Sequence, residues 1–393
     1  MPEQLIIRNF GPIQAADIAV HNLTIFVGPQ ATGKSLAAQA LYFLRGIEEL
    51  LSPVATQQSA PLDDVLKTFK WWLGNDPEIY TSTGTSLSWT SSDFAEVRRQ
   101  IYWNDQGVHL NDMLVNRVQQ LKETLYSLQE QIYVPAGRIL YSLLLPASAL
   151  RFFSQGQQQW PGYLITFYEA VGRATEVLWR AQSNQNLEYT TLLPGSAESD
   201  LLRQSPFLRE RIAAITKGAI QYGPSSVSLN IGQKQLSPSA FSAGQMEIWP
   251  FWAIVEHGLL TGKLPVSRIY FEEPEAHLHP GAQRSLMEIL AFLVRHGVQV
   301  VITTHSPYIL YAVNNFLMAQ QVLNSGHKLP PETPVETALH AGQVTAYRFA
   351  PDGNVFSIMD TEVGLIDAHE LEQVAEDLGA TFTEMQERLE GWV

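Results

Sequence analysis

The chain contains no cysteine. Disulfides, a thiolate nucleophile and thiolate zinc sites are therefore excluded, and the redox compartment is left open. Basic residues are scarce: 25 Lys and Arg stand against 39 Asp and Glu, a formal charge of −14. Non-specific affinity for DNA comes from neutralising phosphates with Lys and Arg, so this balance argues against a DNA-coating role and leaves only a local basic groove open. Much of the negative charge is terminal. Residues 360 to 390 hold ten acids and one Arg, a net of −9, which leaves −5 for the rest. There is no apolar run of about 18 residues, so no membrane-spanning helix is expected. Met1-Pro2-Glu3-Gln4-Leu5 lacks the basic start and apolar run of a signal peptide. The expectation is a soluble, cytoplasmic protein. Internal repeats and low-complexity linkers are also absent. Charged residues make up only 16% of the chain and hydrophobic ones 45%, the balance of a core-forming sequence and not a disordered one. At roughly 150 residues per domain, the 393 residues allow two or three domains, or one domain with an insertion.

What is present is strongly patterned. Leu5-Ile6-Ile7 and Ile18-Ala19-Val20 flank Gly11-Pro12 and predict an N-terminal hairpin. Leu23 to Val27 predicts a strand ending at Gly28, and Lys34 to Arg45 a helix, with apolar residues at Leu36, Ala37, Ala40, Leu41 and Leu44. Thr81 to Ser92 is rich in Ser and Thr and reads as turns or exposed strands. Leu110 to Ile132 has helical spacing over about three heptads, too short for a long coiled-coil arm. Ile132 to Pro135 reads as a return to a sheet. Ile139 to Asn186 and Ser196 to Lys217 read as helical, and Val227 to Ile231 as a hairpin strand. From Phe241 the order is helix, strand (Ile269 to Phe271), helix, strand (Val298 to Thr303), helix, which predicts a parallel sheet covered by helices. Val344 to Met359 predicts a terminal hairpin, followed by an acidic helical tail.

Four motifs carry chemistry. Gly28-Pro29-Gln30-Ala31-Thr32-Gly33-Lys34-Ser35 fits G-x-x-x-x-G-K-[ST] between a strand and a helix. Backbone N–H groups of such a loop and of the helix start form an anion cradle. Lys34 reaches the β- and γ-phosphates, and Ser35 offers its oxygen to Mg²⁺. The candidate nucleotide contacts here are Gly28, Gln30, Gly33, Lys34, Ser35 and Leu36. Second, the strand Ile269 to Phe271 ends in Glu272-Glu273-Pro274-Glu275. Glu272 is assigned to the metal shell and Glu273 to activation of the attacking water. Third, Val300 to Thr304 delivers His305 to a strand end, where ligands of open α/β sheets collect; His305 is a candidate for contacting the γ-phosphate or orienting Glu273. Fourth, Ser242-Ala243-Gly244-Gln245 opens a helix. Ser242 can cap it, and Gly244 permits close approach of a phosphate.

These motifs, in this order, resemble the ABC-type ATPases of the SMC/RecF/OLD branch, best over residues 1–45 and 225–315. Gly28 to Ser35 resembles the Walker A loop, Phe271 to Glu275 the Walker B strand, Ser242 to Gln245 a shortened signature, and His305 the switch histidine. Glu275-Ala276-His277-Leu278-His279-Pro280 is similar to the E-x-H-L-H-P run of OLD-like ATPases, and Tyr133 to Arg138 to a Y-x-P-A-x-R element in the same group. Gln30-Ala31 stands where SMC-type loops have Asn-Gly, and no glutamine loop is identified. The resemblance implies an α/β P-loop fold with a mixed sheet, N-terminal antiparallel strands and a helical insertion. It implies ATP and Mg²⁺, and a homodimer in which Ser242, Gly244 and Gln245 of one copy close on the ATP of the other. It further suggests a separate effector, a nuclease or toxin, in anti-phage defence or DNA repair. The stretch after His305 is too short for a whole TOPRIM domain, so no nuclease activity is expected in this chain.

The expected division is 1–45 with 225–345 as ATPase core, 46–224 as a largely helical insertion or lid with strand 132–135 returning to the core, and 346–393 as hairpin and tail. Other readings stay open: a DNA-binding repair ATPase of RecF type, a transporter subunit, and an ATP-binding scaffold without turnover. Around the core, His277 and His279 read as structural before metal-binding. Arg138 is balanced between a salt bridge and a phosphate or partner contact. Arg203, Arg209, Arg211 and Lys217 read as a solvated helix face, and Trp71, Trp72 and Trp160 as core.

Overall fold

The computed structural model describes residues 3–47, 50, 61–74, 77–91, 97–121, 131–138, 161–183, 206–223, 226–261, 267–367 and 379–388. The first two strands, β1 (Glu3–Phe10) and β2 (Ile13–Val20), form the expected antiparallel hairpin, with Phe10 opposite Ile13. Strand β3 (Leu23–Val27) is buried along its whole length. Helix α1 (Lys34–Arg45) follows the glycine loop and has the bounds its apolar spacing predicts. After helix α2 (Pro61–Leu73), strands β4 (Ser86–Ser91), β5 (Val97–Asn104) and β6 (Gly107–Leu110) return to the hairpin in the order β2-β1-β4-β5-β6.

Within Thr81 to Ser92, read as turns or exposed strands, residues 82–84 are an exposed turn, but strand β4 corrects the exposed-strand half of the reading. It is the middle strand of five, with Leu87, Ser88, Trp89 and Ser91 buried. Neighbours on both sides satisfy its backbone, and its polar flank is bonded too: the Thr85 hydroxyl donates to Asn9 O (2.5 Å) and Gln100 Nε2 to Ser86 Oγ (3.1 Å). Ser88 Oγ is buried without a hydrogen-bond partner, so strand pairing, which composition alone does not reveal, is what buries this segment.

Helix α3 (Asp112–Leu121) leads towards β7 (Gln131–Val134), then α4 (Gly162–Ser183) and α5 (Pro206–Thr216). A small sheet of β8 (Ala219–Tyr222), β9 (Val227–Ile231) and β10 (Lys234–Leu236) precedes α6 (Ala243–Thr261). The region 46–224, expected to be largely helical, thus also holds three strands of the N-terminal sheet. The readings for 122–130, 139–160, 184–205 and 368–378, with Trp160 and Arg203, lie outside the described residues.

The chain then alternates as predicted: β11 (Arg268–Glu272), α7 (Pro280–Arg295), β12 (Gln299–Thr304), α8 (Pro307–Asn324). It closes with β13 (Val344–Phe349), β14 (Val355–Ser357), and the short pair β15 (Met359–Asp360) and β16 (Leu365–Ile366); residues 379–388 form an exposed helix. The main sheet has the order β14-β13-β3-β12-β11-β7, all parallel except β14. The terminal hairpin is therefore part of this sheet: β13 pairs with β3, Ala346 opposite Ile25. A core ending at 345 would cut through β13.

Both faces of the main sheet are buried, as a mostly parallel sheet requires. Successive residues point to opposite faces. Ile25, Ile132, Ile269, Phe271, Val300 and Ile302 face α4, α6, α7 and α8. Phe26, Tyr133, Tyr270 and Val301 face α1, which the antiparallel sheet covers on its far side. Within this second core Tyr42 stacks on Trp72 (centroids 4.2 Å apart, planes at 7°) and meets Tyr270 edge-on at 5.1 Å. Trp72 also donates its indole N–H to Gln39 O at 3.2 Å, pinning α2 to α1. Trp72→Ala is expected to cost about 3–5 kcal/mol by loss of buried area and creation of a cavity. Urea unfolding measures this; an unchanged midpoint would show that α2 does not pack as described.

Candidate functional site

The site is built at the carboxyl edge of the parallel sheet. The loop from β3 to α1 is held by backbone conformations that its residue types permit. Gly28 has φ +145°, and a Cβ there would lie 2.4 Å from Phe349 O at the end of β13. Gly33 has φ +96°, and a Cβ would lie 2.5 Å from Ile13 Cγ1. Ala31 adopts φ +61° without being glycine. The chain therefore accepts a strained turn of order 1 kcal/mol at that place. Thr32 Oγ1 donates to Pro29 O at 2.9 Å and closes the loop on itself. The N-cap Gly33 offers no side-chain acceptor to the first turn of α1. Its N–H groups therefore stay available to an anion.

Lys34 Nζ donates to Gly28 O (2.7 Å) and Pro29 O (2.6 Å). Burial lowers the pKa of this amine, opposed by the charges of Glu273 and Glu275, so the three groups share one electrostatic neighbourhood. Gln30 is exposed at the loop tip. Leu36 packs its side chain on the core and against Gly11, so only its backbone is available to a nucleotide.

Glu272, at the end of β11, is buried and accepts from Tyr133 Oη (2.6 Å) on one oxygen and Ala136 N (3.1 Å) on the other. The Ser35 hydroxyl stands near enough to favour its charged form. Burial raises its pKa; these three donors pull it back. Burial and Glu272 together raise the Tyr133 phenol well above its ordinary range, so Tyr133 stays a donor. Glu273 takes a left-handed backbone (φ +42°). Its N–H donates to Thr303 O (2.9 Å) and its carbonyl accepts from Arg138 Nη2 (3.1 Å). Its half-buried carboxylate lies 3.7 Å from His305 Nδ1.

Arg138 settles its two readings in favour of a buried ion pair. The side chain is 1% exposed, with Nε 2.9 Å from Glu247 Oε2. It also donates to the carbonyls of Glu247 (3.1 Å), Pro135 (3.1 Å), Glu272 (3.0 Å) and Glu273 (3.1 Å), and lies over the Phe271 ring. Burial pushes its pKa down; Glu247, Glu275, Glu272 and Glu273 oppose that.

Ser242 and Gln245 cap α6 reciprocally: Ser242 N donates to Gln245 Oε1 (2.9 Å), and Gln245 N to Ser242 Oγ (3.3 Å). Gln245 Nε2 reaches Thr216 O at the end of α5 (2.6 Å). A Cβ on Gly244 would meet His277 O at 2.9 Å, so within the chain the close approach Gly244 permits is to the 275–279 turn. Among the described residues no hydrogen bond joins this triplet to the 28–35 loop.

His277 (φ +57°) places Nδ1 3.2 Å from Glu247 Oε1. His279 Nδ1 accepts from Gly281 N (3.2 Å) at the start of α7. Both do structural work, and among the described residues no cluster of three His, Asp or Glu could hold a metal. Arg211 is paired with Glu288 (2.6 Å) and lies over Phe207, so the basic face on α5 is partly spent inside the protein.

Residues 265–310 match the family model described as the AAA ATPase domain. That segment runs from β11 through His305 into α8. No curated protein matches the chain. Among solved structures, the chain is similar to the SMC head domain from Thermotoga maritima (11% identity, 91% of this chain, 99% of that one, TM-score 0.40). It is also similar to the Smc head with an extended coiled coil bound to the ScpA C-terminal domain from Pyrococcus furiosus (11%, 95%, 98%, TM-score 0.43). The recombination mediator RecF is similar at 11% identity, 91% of this chain, 98% of that one and TM-score 0.38. At these values the likenesses add nothing to what the sheet order and the loop establish, an α/β P-loop NTPase fold with a mixed sheet and an N-terminal antiparallel sheet. No helix among the described residues is long and apolar enough to cross a membrane.

The motif reading placed Tyr133 and Ala136 in the Y-x-P-A-x-R element without giving either a contact, and gave no role to Glu247 or Thr304. Glu247 had a signal, as the one charge in Met246 to Val255, an otherwise uncharged run of the helix. Arg138→Met is expected to destabilise by about 3–5 kcal/mol, because Glu247 is left buried with no cation on Oε2 and only His277 on Oε1. Arg138→Met with Glu247→Leu should regain part of that loss. A double variant whose loss in denaturant unfolding equals the sum of the singles would mean the pair is not coupled.

Proposed function

We propose that this chain is a Mg²⁺-dependent ATPase whose two copies close around ATP. The observation that carries the reading is the meeting of the loop and the acids at one sheet edge: Lys34 feels the charge of Glu273, the Ser35 hydroxyl favours the charged form of Glu272 at the end of β11, and Glu273 follows it directly. These residues fit the groups they would hold. Mg²⁺ is usually bound through one or two protein ligands plus substrate phosphates, and Ser35 with Glu272 supplies such a pair. When bound, Mg²⁺ would offset the charge of the β- and γ-phosphate oxygens. The loop N–H groups from Gly28, Gln30 and Gly33 to Leu36 hold the phosphates, and Lys34 leaves its loop carbonyls for them. Glu273 takes a proton from the attacking water, and His305 steadies its carboxylate. Catalysis here is mainly electrostatic positioning.

Ser242, Gly244 and Gln245 act on the nucleotide of the second copy. This rests on the resemblance. The output is control of a separate effector in the cytoplasm, a nuclease or toxin, in anti-phage defence or DNA repair; this part rests on analogy alone. We keep 1–45 with 225–345 as the ATPase core and 46–224 as the insertion. On the strand pairing we assign β4–β6 and β13–β14 to the core as well, leaving the acidic tail outside it.

Glu273→Gln should lower turnover by about 10²–10⁴-fold while retaining ATP binding, and Lys34→Ala should lose binding. Normal phosphate release by Glu273→Gln would overturn the base assignment. Mass photometry of Glu273→Gln should show a doubling of mass on addition of Mg-ATP. A mass that stays that of one chain would overturn the closing dimer and favour a scaffold that binds ATP alone.

A further inference from the structure

Glu275 has no part in the mechanism above, yet it is one of the most costly side chains at the site. A buried carboxylate is unfavourable unless its charge and both oxygens are used. Glu275 is only 7% exposed. One oxygen, Oε1, accepts from Thr304 Oγ1 (2.6 Å) and from the His305 backbone N–H (2.9 Å). The other, Oε2, is buried without a hydrogen-bond partner. The His305 ring places Nδ1 3.8 Å from Glu275 Oε1 and 3.7 Å from Glu273 Oε1. Nδ1 therefore lies between two carboxylates, which favours the tautomer that carries its proton there and turns Nε2 away from them.

The turn around Glu275 is built to transmit position. Ala276 N donates to Glu273 O (3.0 Å) and Leu278 N to Glu275 O (3.0 Å), across two residues in left-handed conformations, Glu273 and His277. Glu275 ties this turn to the end of β12 through Thr304 and His305. Two accepted hydrogen bonds alone would not call for a carboxylate, since a glutamine could accept both without burying a charge. The cationic side chains of Arg138 and Lys34 feel its charge, and the imidazole directly beside it calls for the charge as well.

We propose that Glu275 is a positioning residue: it fixes the backbone at 304–305 and holds the His305 ring with Nδ1–H toward Glu273, so that His305 in turn orients the Glu273 carboxylate. The inference rests on Glu273 being the base of the proposed ATPase. Glu275 touches neither substrate nor reacting atoms in this account, so its loss acts on turnover and leaves nucleotide affinity unchanged.

The test compares Glu275→Gln, His305→Ala and the double variant in steady-state ATP hydrolysis, ATP-analogue affinity and thermal unfolding. Glu275→Gln keeps the side-chain volume and the two accepted bonds. It should lower kcat by about tenfold, within the coupling range of contacting residues, with analogue affinity unchanged; unfolding is followed to confirm that the variant is folded at the assay temperature, since an amide placed at the unpartnered Oε2 position costs some stability. On the His305→Ala background the same change should be silent. A wild-type kcat for Glu275→Gln, or an undiminished further loss in the double variant, would overturn the proposal. A second readout is independent of turnover: the ¹⁵N side-chain spectrum of the histidines at fixed pH, with His305 assigned from His305→Ala. Glu275→Gln should move the His305 Nδ1 resonance, and an unmoved resonance would overturn the inference. If the wild-type chain hydrolyses no ATP but the resonance moves, the proposed ATPase falls and the hold of Glu275 on His305 stands.

Discussion

Arg138 brings a full charge into the interior, where desolvation costs several kcal/mol unless the charge is paired and its donors are used. Glu247 supplies the opposite charge, and four backbone carbonyls take up donors. Two of those carbonyls belong to Glu272 and Glu273. The guanidinium thus fixes the backbone from which both acids project, including the left-handed turn at Glu273 that a non-glycine residue adopts only under restraint. The same side chain joins the loop after β7, the end of β11 and helix α6, whose first residues are the signature-like triplet. Displacement of α6 would be felt at the acidic strand end through one ion pair.

The remaining geometry follows from a sheet buried on both faces. Alternation along β3, β11 and β12 sends aliphatic residues to the helical layer and Phe26, Tyr270 and Val301 to α1. The parallel register then sets the carboxyl ends of β3, β11 and β12 side by side. Phosphate loop, acids and histidine arrive at one edge because their strands are neighbours, with β12 between the other two. Tyr133 adds the fourth strand, and its buried phenol anchors Glu272 from the side opposite the loop.

Much of this was legible in the residues. The glycine loop, the bounds of α1, the alternation after Phe241 and the N-terminal hairpin all lie in local patterns of period 2 or 3.6, which one segment of chain displays by itself. The same holds for Lys34, Ser35, Glu272, Glu273 and His305, marked by type and by place at a strand end. What failed was non-local. Ser-rich β4 read as a turn or an exposed strand because its partners, β1 and β5, come from elsewhere in the chain. The terminal hairpin looked peripheral because its pairing with β3 joins residues more than three hundred apart in sequence.

Sequence by itself determined which chemistry is available: a phosphate loop with its lysine and serine, adjacent carboxylates, a histidine at a strand end, and no thiol. Tertiary structure decided which polar groups hold the others in place. Whether Arg138 would meet solvent or Glu247, and whether Glu275 would be a surface acid or a buried support for His305, depends on burial and on partners distant in the chain. Those two quantities fix the cost of a charge, and no single segment of sequence contains them.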